Sequence, residues 1–215
     1  MAEKVNYFLN NIPFSNYNVS VSDSSNLYDR PSFKEGFRQS WDDEHGYDTD
    51  LNKRYAEAKT ITLDCFIKAA NLNQLIQRYN TFLNVLDAPK SKRLSVVCND
   101  LRAEYQVFRI DSTDTKIHYD DTKKVGVFKL KLVENMPIKR ILKSTNQNTT
   151  ITISSPKILV INWGDGTEQY TQPGQHTYTK NYFSSVGVEF YPIILGDIDS
   201  ITSFNTNATV IWSKF

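Results

Sequence analysis

Residues 60–90 read TITLDCFIKAANLNQLIQRYNTFLNVLDAPK, and two periodicities inside them set the fold. Ile61, Leu63, Cys65 and Ile67 alternate with Thr62, Asp64 and Lys68, the period of a half-buried strand, with Phe66 as the exception on the polar face. At Asn71 the period changes. Leu72, Leu75, Ile76, Tyr79, Phe82, Leu83 and Leu86 fall on one helical face, which predicts a helix over 72–86. Asn71 and Gln74 have the form of a capping box, with Asn as the side chain that accepts an orphan amide of the first turn. Pro89 ends the helix, because the residue before a proline is disfavoured in α conformation. A helix this short is marginal alone in water, so its apolar face must cover a sheet.

The flanks supply that sheet. After Lys90-Ser91-Lys92-Arg93, which reads as a polar loop, come three strand-like runs: 94–98, 105–110 and 125–133, the last with Lys129 and Lys131 on one face. Asn99-Asp100 and 111–114 carry turn chemistry. Upstream, residues 1–59 are polar, aromatic-rich and irregular, with Tyr7, Phe8, Phe14, Tyr17, Tyr28, Phe33, Phe37 and Trp41. Such a segment either packs on its own domain or orders against a neighbour, and both readings stand. Trp41, His45 and Tyr47 are the interface candidates within it.

Downstream, residues 135–148 form a junction opened by Met136-Pro137. The remainder reads as all-β: Ile151 and Ile153 alternate with threonines, 158–161 is a buried run, and 191–195 and 210–212 are further strands. Trp163-Gly164-Asp165-Gly166-Thr167 is a tight turn, in which Trp163 packs inward, Asp165 bonds nearby amides and Gly166 takes positive φ. Asp165 also allows a ligand or calcium reading. The expected fold is mainly β with a minor helical part. It comprises an antiparallel sheet with one flanking helix over 1–140, then a small β-sandwich over 141–215.

Composition narrows the function classes. With 25 basic and 24 acidic residues, the net charge of +1 gives no drive toward nucleic acid or an anionic membrane. The apolar runs are far too short for a membrane span. MAEKVNYFLNN has no apolar h-region, so no signal peptide is expected, and the chain reads as soluble and made in a cytoplasm. Cys65 and Cys98 sit in apolar strands and read as reduced buried thiols, with a disulfide as the alternative. Asp42-Asp43-Glu44-His45-Gly46-Tyr47-Asp48-Thr49-Asp50 invites a metal, and Asp48 and Asp50 are spaced like the start of a calcium loop, but the later ligands are missing. His45, His118 and His176 lie in three different zones, no G-x-S-x-G occurs, and the 8 glycines form no phosphate-cradling loop. No enzyme, metal or cofactor is expected.

Two resemblances follow. Ser40-Trp41-Asp42-Asp43-Glu44-His45-Gly46-Tyr47-Asp48, the strand at 60–68, the helix at 71–86 and the runs at 94–98, 104–108 and 125–132 resemble, in order and spacing, the distal tail proteins of long-tailed phages, over about 17–134. That resemblance implies that the sheet is split-barrel-like, and that copies form a homo-oligomeric ring, commonly of six subunits, joining tail tube to baseplate proteins in a virion assembled in the host cytoplasm. The polar lead-in 1–29 departs from the common pattern. Separately, Ile161-Asn-Trp-Gly-Asp-Gly-Thr167 followed by His176-Thr-Tyr178 is similar to the PKD-type immunoglobulin-like fold, with Trp163, Asp165, Gly166, His176 and Tyr178 carrying the motif. Such modules serve as spacers, adhesion units or glycan binders, so the competing expectation is a secreted or virion-surface module that binds host glycan through Tyr170, Tyr178, Tyr182 and Phe183.

Overall fold

The computed structural model describes residues 5–36, 38–43, 45–46, 48–49, 54–99, 101–110, 116–183 and 188–214. Strands β1 (Val5–Leu9) and β2 (Ile12–Pro13) form a hairpin turned by Asn10 and Asn11, both at positive φ, as a two-residue turn between twisted strands requires. A 3-10 turn at Phe14–Tyr17 leads to β3 (Val19–Ser25). The short strands β4 (Arg38–Gln39) and β5 (Asp48–Thr49) pair only with each other. Then come β6 (Lys59–Lys68), α1 (Leu72–Asp87), β7 (Lys92–Cys98), β8 (Leu101–Arg109), β9 (His118–Asp120) and β10 (Val125–Glu134).

The first sheet runs β2-β1-β7-β8-β10-β6-β3, with β9 on β10, and every pairing is antiparallel. Among the described residues nothing joins β3 back to β2, so the sheet is not a closed barrel. One expectation for its N-terminal part is corrected. Residues 5–25 are not irregular, because β1 and β3 extend the two sides of the sheet. Their aromatics pack on this chain's own core: Phe14 stands edge-on to Phe82 at 5.3 Å, and Tyr17 lies 5.6 Å from the same ring.

Helix α1 covers the sheet with Leu75, Tyr79, Phe82 and Leu86. Tyr79 meets Phe128 of β10 edge-on at 5.1 Å. Leu72 and Ile76 are exposed, so the apolar face is narrower than the sequence spacing implies. The two residues lie beside the buried 75-79-82-86 line. Gly126 lets the helix approach β10 closely, since a Cβ there would stand 2.5 Å from Leu75 Cδ1. Cys65 on β6 and Cys98 on β7 form no disulfide, with β10 and β8 between their strands; Cys65 is buried as expected, but Cys98 is only half-buried.

The second system begins at β11 (Lys139–Lys143) and continues through β12 (Asn148–Ser155), β13 (Val160–Asn162), β14 (Glu168–Tyr170), β15 (Gly174–Asn181), β16 (Ile193–Leu195), β17 (Ser203–Thr206) and β18 (Thr209–Lys214). One sheet runs β14-β13-β16-β11-β18 and the other β15-β12-β17. Leu142, Ile151, Ile153, Ile161, Trp163 and Ile194 pack between them as a shared core. The residues expected to be a junction therefore contain an interior strand, and the expected boundary at 140/141 falls inside β11. The signal was masked because Lys139, Arg140 and Lys143 flank only two apolar residues. The expected strand at 158–161 starts only at Val160, leaving Ile158 exposed.

Candidate functional site

The chemistry-bearing side chains concentrate where the two sheet systems meet. Arg93 enters from β7 and is 5% exposed. Its Nε donates to Glu104 Oε2 at 2.8 Å, its Nη1 to Asn162 Oδ1 at 3.1 Å, and its Nη2 to the carbonyl of Tyr191. Ser95 Oγ adds a hydrogen bond to Glu104 Oε2 at 2.6 Å, and Arg102 pairs with the other carboxylate oxygen. Glu104 has no exposed surface, so these three donors compensate a charge that would otherwise be buried alone. The Arg102 guanidinium also lies over the Tyr191 ring at 3.9 Å.

Asn162 is the matching group on β13. It donates from Nδ2 to Gln106 Oε1 at 3.1 Å, and its Oδ1 also accepts from Gly164 N at 3.1 Å. Gln106 Nε2 reaches Glu168 at 2.9 Å, and Asn11 Nδ2 donates to Gly164 O at 2.9 Å. Gly164 adopts φ +87°, and a Cβ there would stand a tight 3.2 Å from both Arg93 Nη1 and Tyr191 O, so any other residue would be strained at this close approach.

A second buried pair lies at the connection between the systems. Lys139 Nζ, at the start of β11, donates to Glu134 Oε1 at the end of β10, and both side chains are buried. Burial raises Glu134 and lowers Lys139 from their ordinary pKa values, while the attraction between them opposes both shifts. Lys139 Nζ also sits 4.0 Å from the centroid of Tyr105, whose hydroxyl donates to Leu27 O at 2.7 Å. Burial pushes the Tyr105 phenol well above its ordinary range.

The residues singled out from sequence are distributed as follows. Trp163 and Tyr178 are buried in the sandwich core, and Tyr178 Oη accepts from Gln172 N at 2.7 Å. Asp165 Oδ1 accepts from Thr167 N at 3.0 Å and from Thr167 Oγ1 at 2.6 Å, and its other oxygen meets Lys180 at 2.7 Å. Gly166 has φ +89°. His176 is exposed, with Nε2 3.1 Å from Pro173 O. Asn71 Oδ1 accepts from Gln74 N at 2.9 Å, but Gln74 Oε1 takes the amide of Ala70 at 2.7 Å, one residue earlier than a reciprocal box requires. Trp41 is 51% exposed and its Nε1 donates to Asp48 at 3.2 Å; His45 is exposed, and Tyr47 lies outside the described residues. Of the four aromatics considered for glycan, Tyr178 and Tyr182 are buried, whereas Tyr170 and Phe183 are exposed.

Sequence reading missed the seam. Lys90-Ser91-Lys92-Arg93 is not simply a solvated loop: Lys92 Nζ caps the carbonyls of Ala88, Pro89 and Lys90 at 2.7, 2.9 and 2.8 Å, and Arg93 is interior. The available signal was the polar alternation Arg93, Ser95 facing Arg102, Glu104, Gln106, which reads as a solvent face unless a second layer covers it. Among the described residues no group of three or more His, Cys, Asp or Glu side chains is placed to hold a metal, and no helix is long and apolar enough to cross a membrane.

No protein-family model and no curated protein matches the chain. Among solved structures it is similar to the Dit protein (gp 19.1) of phage SPP1, described as a paradigm of the hub adsorption apparatus in phages infecting Gram-positive hosts. The identity is 9% and the TM-score 0.51, over 89% of this chain and 98% of that one. It also matches a chain of the phage p2 baseplate in its activated conformation with Sr, at 9% identity and a TM-score of 0.44, over 95% and 97% of the two chains. The SPP1 likeness is one of fold, and at 89% coverage it extends across both sheet systems, beyond the 17–134 region to which the sequence resemblance was confined.

Proposed function

We propose that the chain is a non-enzymatic structural subunit of a phage-type tail, of the distal tail kind, acting in the virion after assembly in the host cytoplasm. The observation that carries the reading is the fold shared with the SPP1 Dit protein across both sheet systems. In this reading the first system, through β10, is the ring-forming domain, and the second, from β11, is an immunoglobulin-like sandwich of PKD type that projects from it. Copies of the chain close into a ring, six by the family resemblance, between tail tube and baseplate proteins. Exposed sheet borders and the aromatic hairpin bearing Trp41 supply surface for that contact. The polar seam supports the reading in a second way, since a spacer must hold its outer part at a fixed angle, and directional hydrogen bonds fix an angle where apolar contact alone does not.

Mass photometry of the purified chain across a concentration series, with negative-stain imaging of the largest species, tests this. A closed ring with a central channel is expected. A strict monomer at high concentration that no tail protein can assemble would overturn it.

A further inference from the structure

Two buried polar atoms at the seam, Glu134 Oε2 and Trp212 Nε1, have no hydrogen-bond partner of ordinary geometry among the described residues, the Gln106 backbone N–H beside the Glu134 carboxyl falling short of one to Oε2. Both side chains line one small cavity between the sheet systems, together with Lys59, Tyr105 and Lys139. One atom is an acceptor and the other a donor, and they come from opposite sides, Glu134 from β10 and Trp212 from β18. The carboxyl group of Glu134 is 1% exposed, and its other oxygen is taken by Lys139. An unmet carboxyl oxygen and an unmet indole N–H in the same buried space each carry a desolvation cost that no partner repays. Native interiors rarely leave such groups unpaired.

The space available decides what can satisfy them. The room for a water centre is ≈ 10 Å³. Roughly 10–15 Å³ is enough to hold one water, and the water needs 2–4 polar partners. Lys59 supplies a third: its Nζ donates to Leu27 O at 2.7 Å and to Asp29 O at 2.6 Å, leaving one of its three N–H groups for the cavity it lines. The space is too small for an anion or an organic ligand, and the cations Lys59 and Lys139 beside it disfavour a metal ion.

We propose that this cavity is a built site for a single structural water, which donates to Glu134 Oε2 and accepts from Trp212 Nε1. The water joins the last strand of the second sheet system to the last strand of the first. It completes, at the β10–β11 end of the seam, the polar junction that Arg93 makes at the other. The inference is independent of the tail reading, since it concerns how one chain holds its two parts together.

A crystal structure of the full chain, at a resolution that places solvent, tests it. One density peak within hydrogen-bond distance of both Glu134 Oε2 and Trp212 Nε1 is expected, and Trp212→Phe, which removes the donor and keeps an aromatic ring, is expected to lose it. No density peak in the wild-type cavity, a direct Trp212–Glu134 hydrogen bond, or a peak unchanged in Trp212→Phe each overturns the proposal. If the variant does not fold, the presence or absence of the wild-type peak decides it.

Discussion

Arg93 Nη1 on β7 donates to Asn162 Oδ1 on β13 at 3.1 Å, across 69 positions of the chain. The same guanidinium holds Glu104 and the Tyr191 carbonyl, so one planar fork serves three acceptors on two sheet systems. Arg93→Met leaves Glu104 buried with Arg102 and Ser95 as its remaining donors. Removing one member of a buried ion pair costs about 3–5 kcal/mol. The urea midpoint should fall accordingly, and Arg93→Lys should recover little, since an ammonium cannot span the three directions. Arg93→Met with Glu104→Gln should lose less than the sum of the two single changes, which a double-mutant cycle reads directly.

Gly126 and Leu75 make a second close relationship. A Cβ at 126 would stand 2.5 and 2.8 Å from the two Leu75 methyls, and 3.1 Å from Ile117 Cδ1. Leu75 is fully buried, so its methyls can give way only by disturbing the packed core around them. Gly126→Ala should cost about 1–3 kcal/mol by overpacking. Leu75→Ala alone should cost about 2–5 kcal/mol by leaving a cavity. Adding Gly126→Ala to Leu75→Ala should then cost little more, because the new methyl enters the space the leucine vacates. Chemical denaturation of the four proteins checks this.

These two positions show why part of the molecule was legible in sequence and part was not. Helix α1 was readable because its buried face repeats at helical spacing and its cap and stop residues are local signals. β6 was readable because one side faces protein and the other water. β3 was not, since its outer face is solvated, its residues are mostly serine and aspartate, and a bulge between Val21 and Asp23 breaks the alternation. The seam was hidden for the opposite reason. Arg93, Ser95, Glu104 and Gln106 look like a solvent face, and only tertiary contact covers them with protein. Gly126 reads in sequence as an interruption of a strand, and its cause, Leu75, lies on another element.

The helix cap gives a smaller, local prediction. Asn71 Oδ1 satisfies Gln74 N at 2.9 Å with the Asn71 backbone extended. Asn71→Ala should destabilise the chain by about 0.5–2 kcal/mol, whereas Asn71→Asp or Asn71→Ser should remain close to wild type. Gln74→Ala frees only the Ala70 amide, which is exposed, and should cost less than Asn71→Ala. Thermal midpoints in one buffer order the four variants.

The two thiols should differ in reactivity. Cys65 is 2% exposed, and burial, with a smaller contribution from Asp64, drives its pKa far above that of a free thiol. Thiolate is the reactive form, so Cys65 should resist a disulfide reagent in the native chain and react only on unfolding. Cys98 is half-buried and should react first. Reagent titration with and without denaturant, followed by peptide mapping, tests the order. Prompt labelling of Cys65 in the native chain would mean that β6 opens locally.

Asp165 yields the pH prediction. Burial works against its charge, but hydrogen bonds from Lys180 and Thr167 outweigh burial and hold the carboxyl below its ordinary 3.8. A carboxyl whose folded pKa lies below its unfolded one binds fewer protons when folded. Its stabilisation is therefore complete well above 3.8 and disappears as pH falls through the folded value. Asp165→Asn keeps the turn's shape and removes the charge, so the variant should melt below wild type at neutral pH. The gap should close progressively as the buffer is taken below 3.8. Lys180→Met should narrow the same gap at neutral pH, because Lys180 at 2.7 Å is the cation that favours the ionised form. A gap between wild type and Asp165→Asn that stayed constant on acidification would instead assign the difference to the altered hydrogen bonds of the turn, with no role for charge.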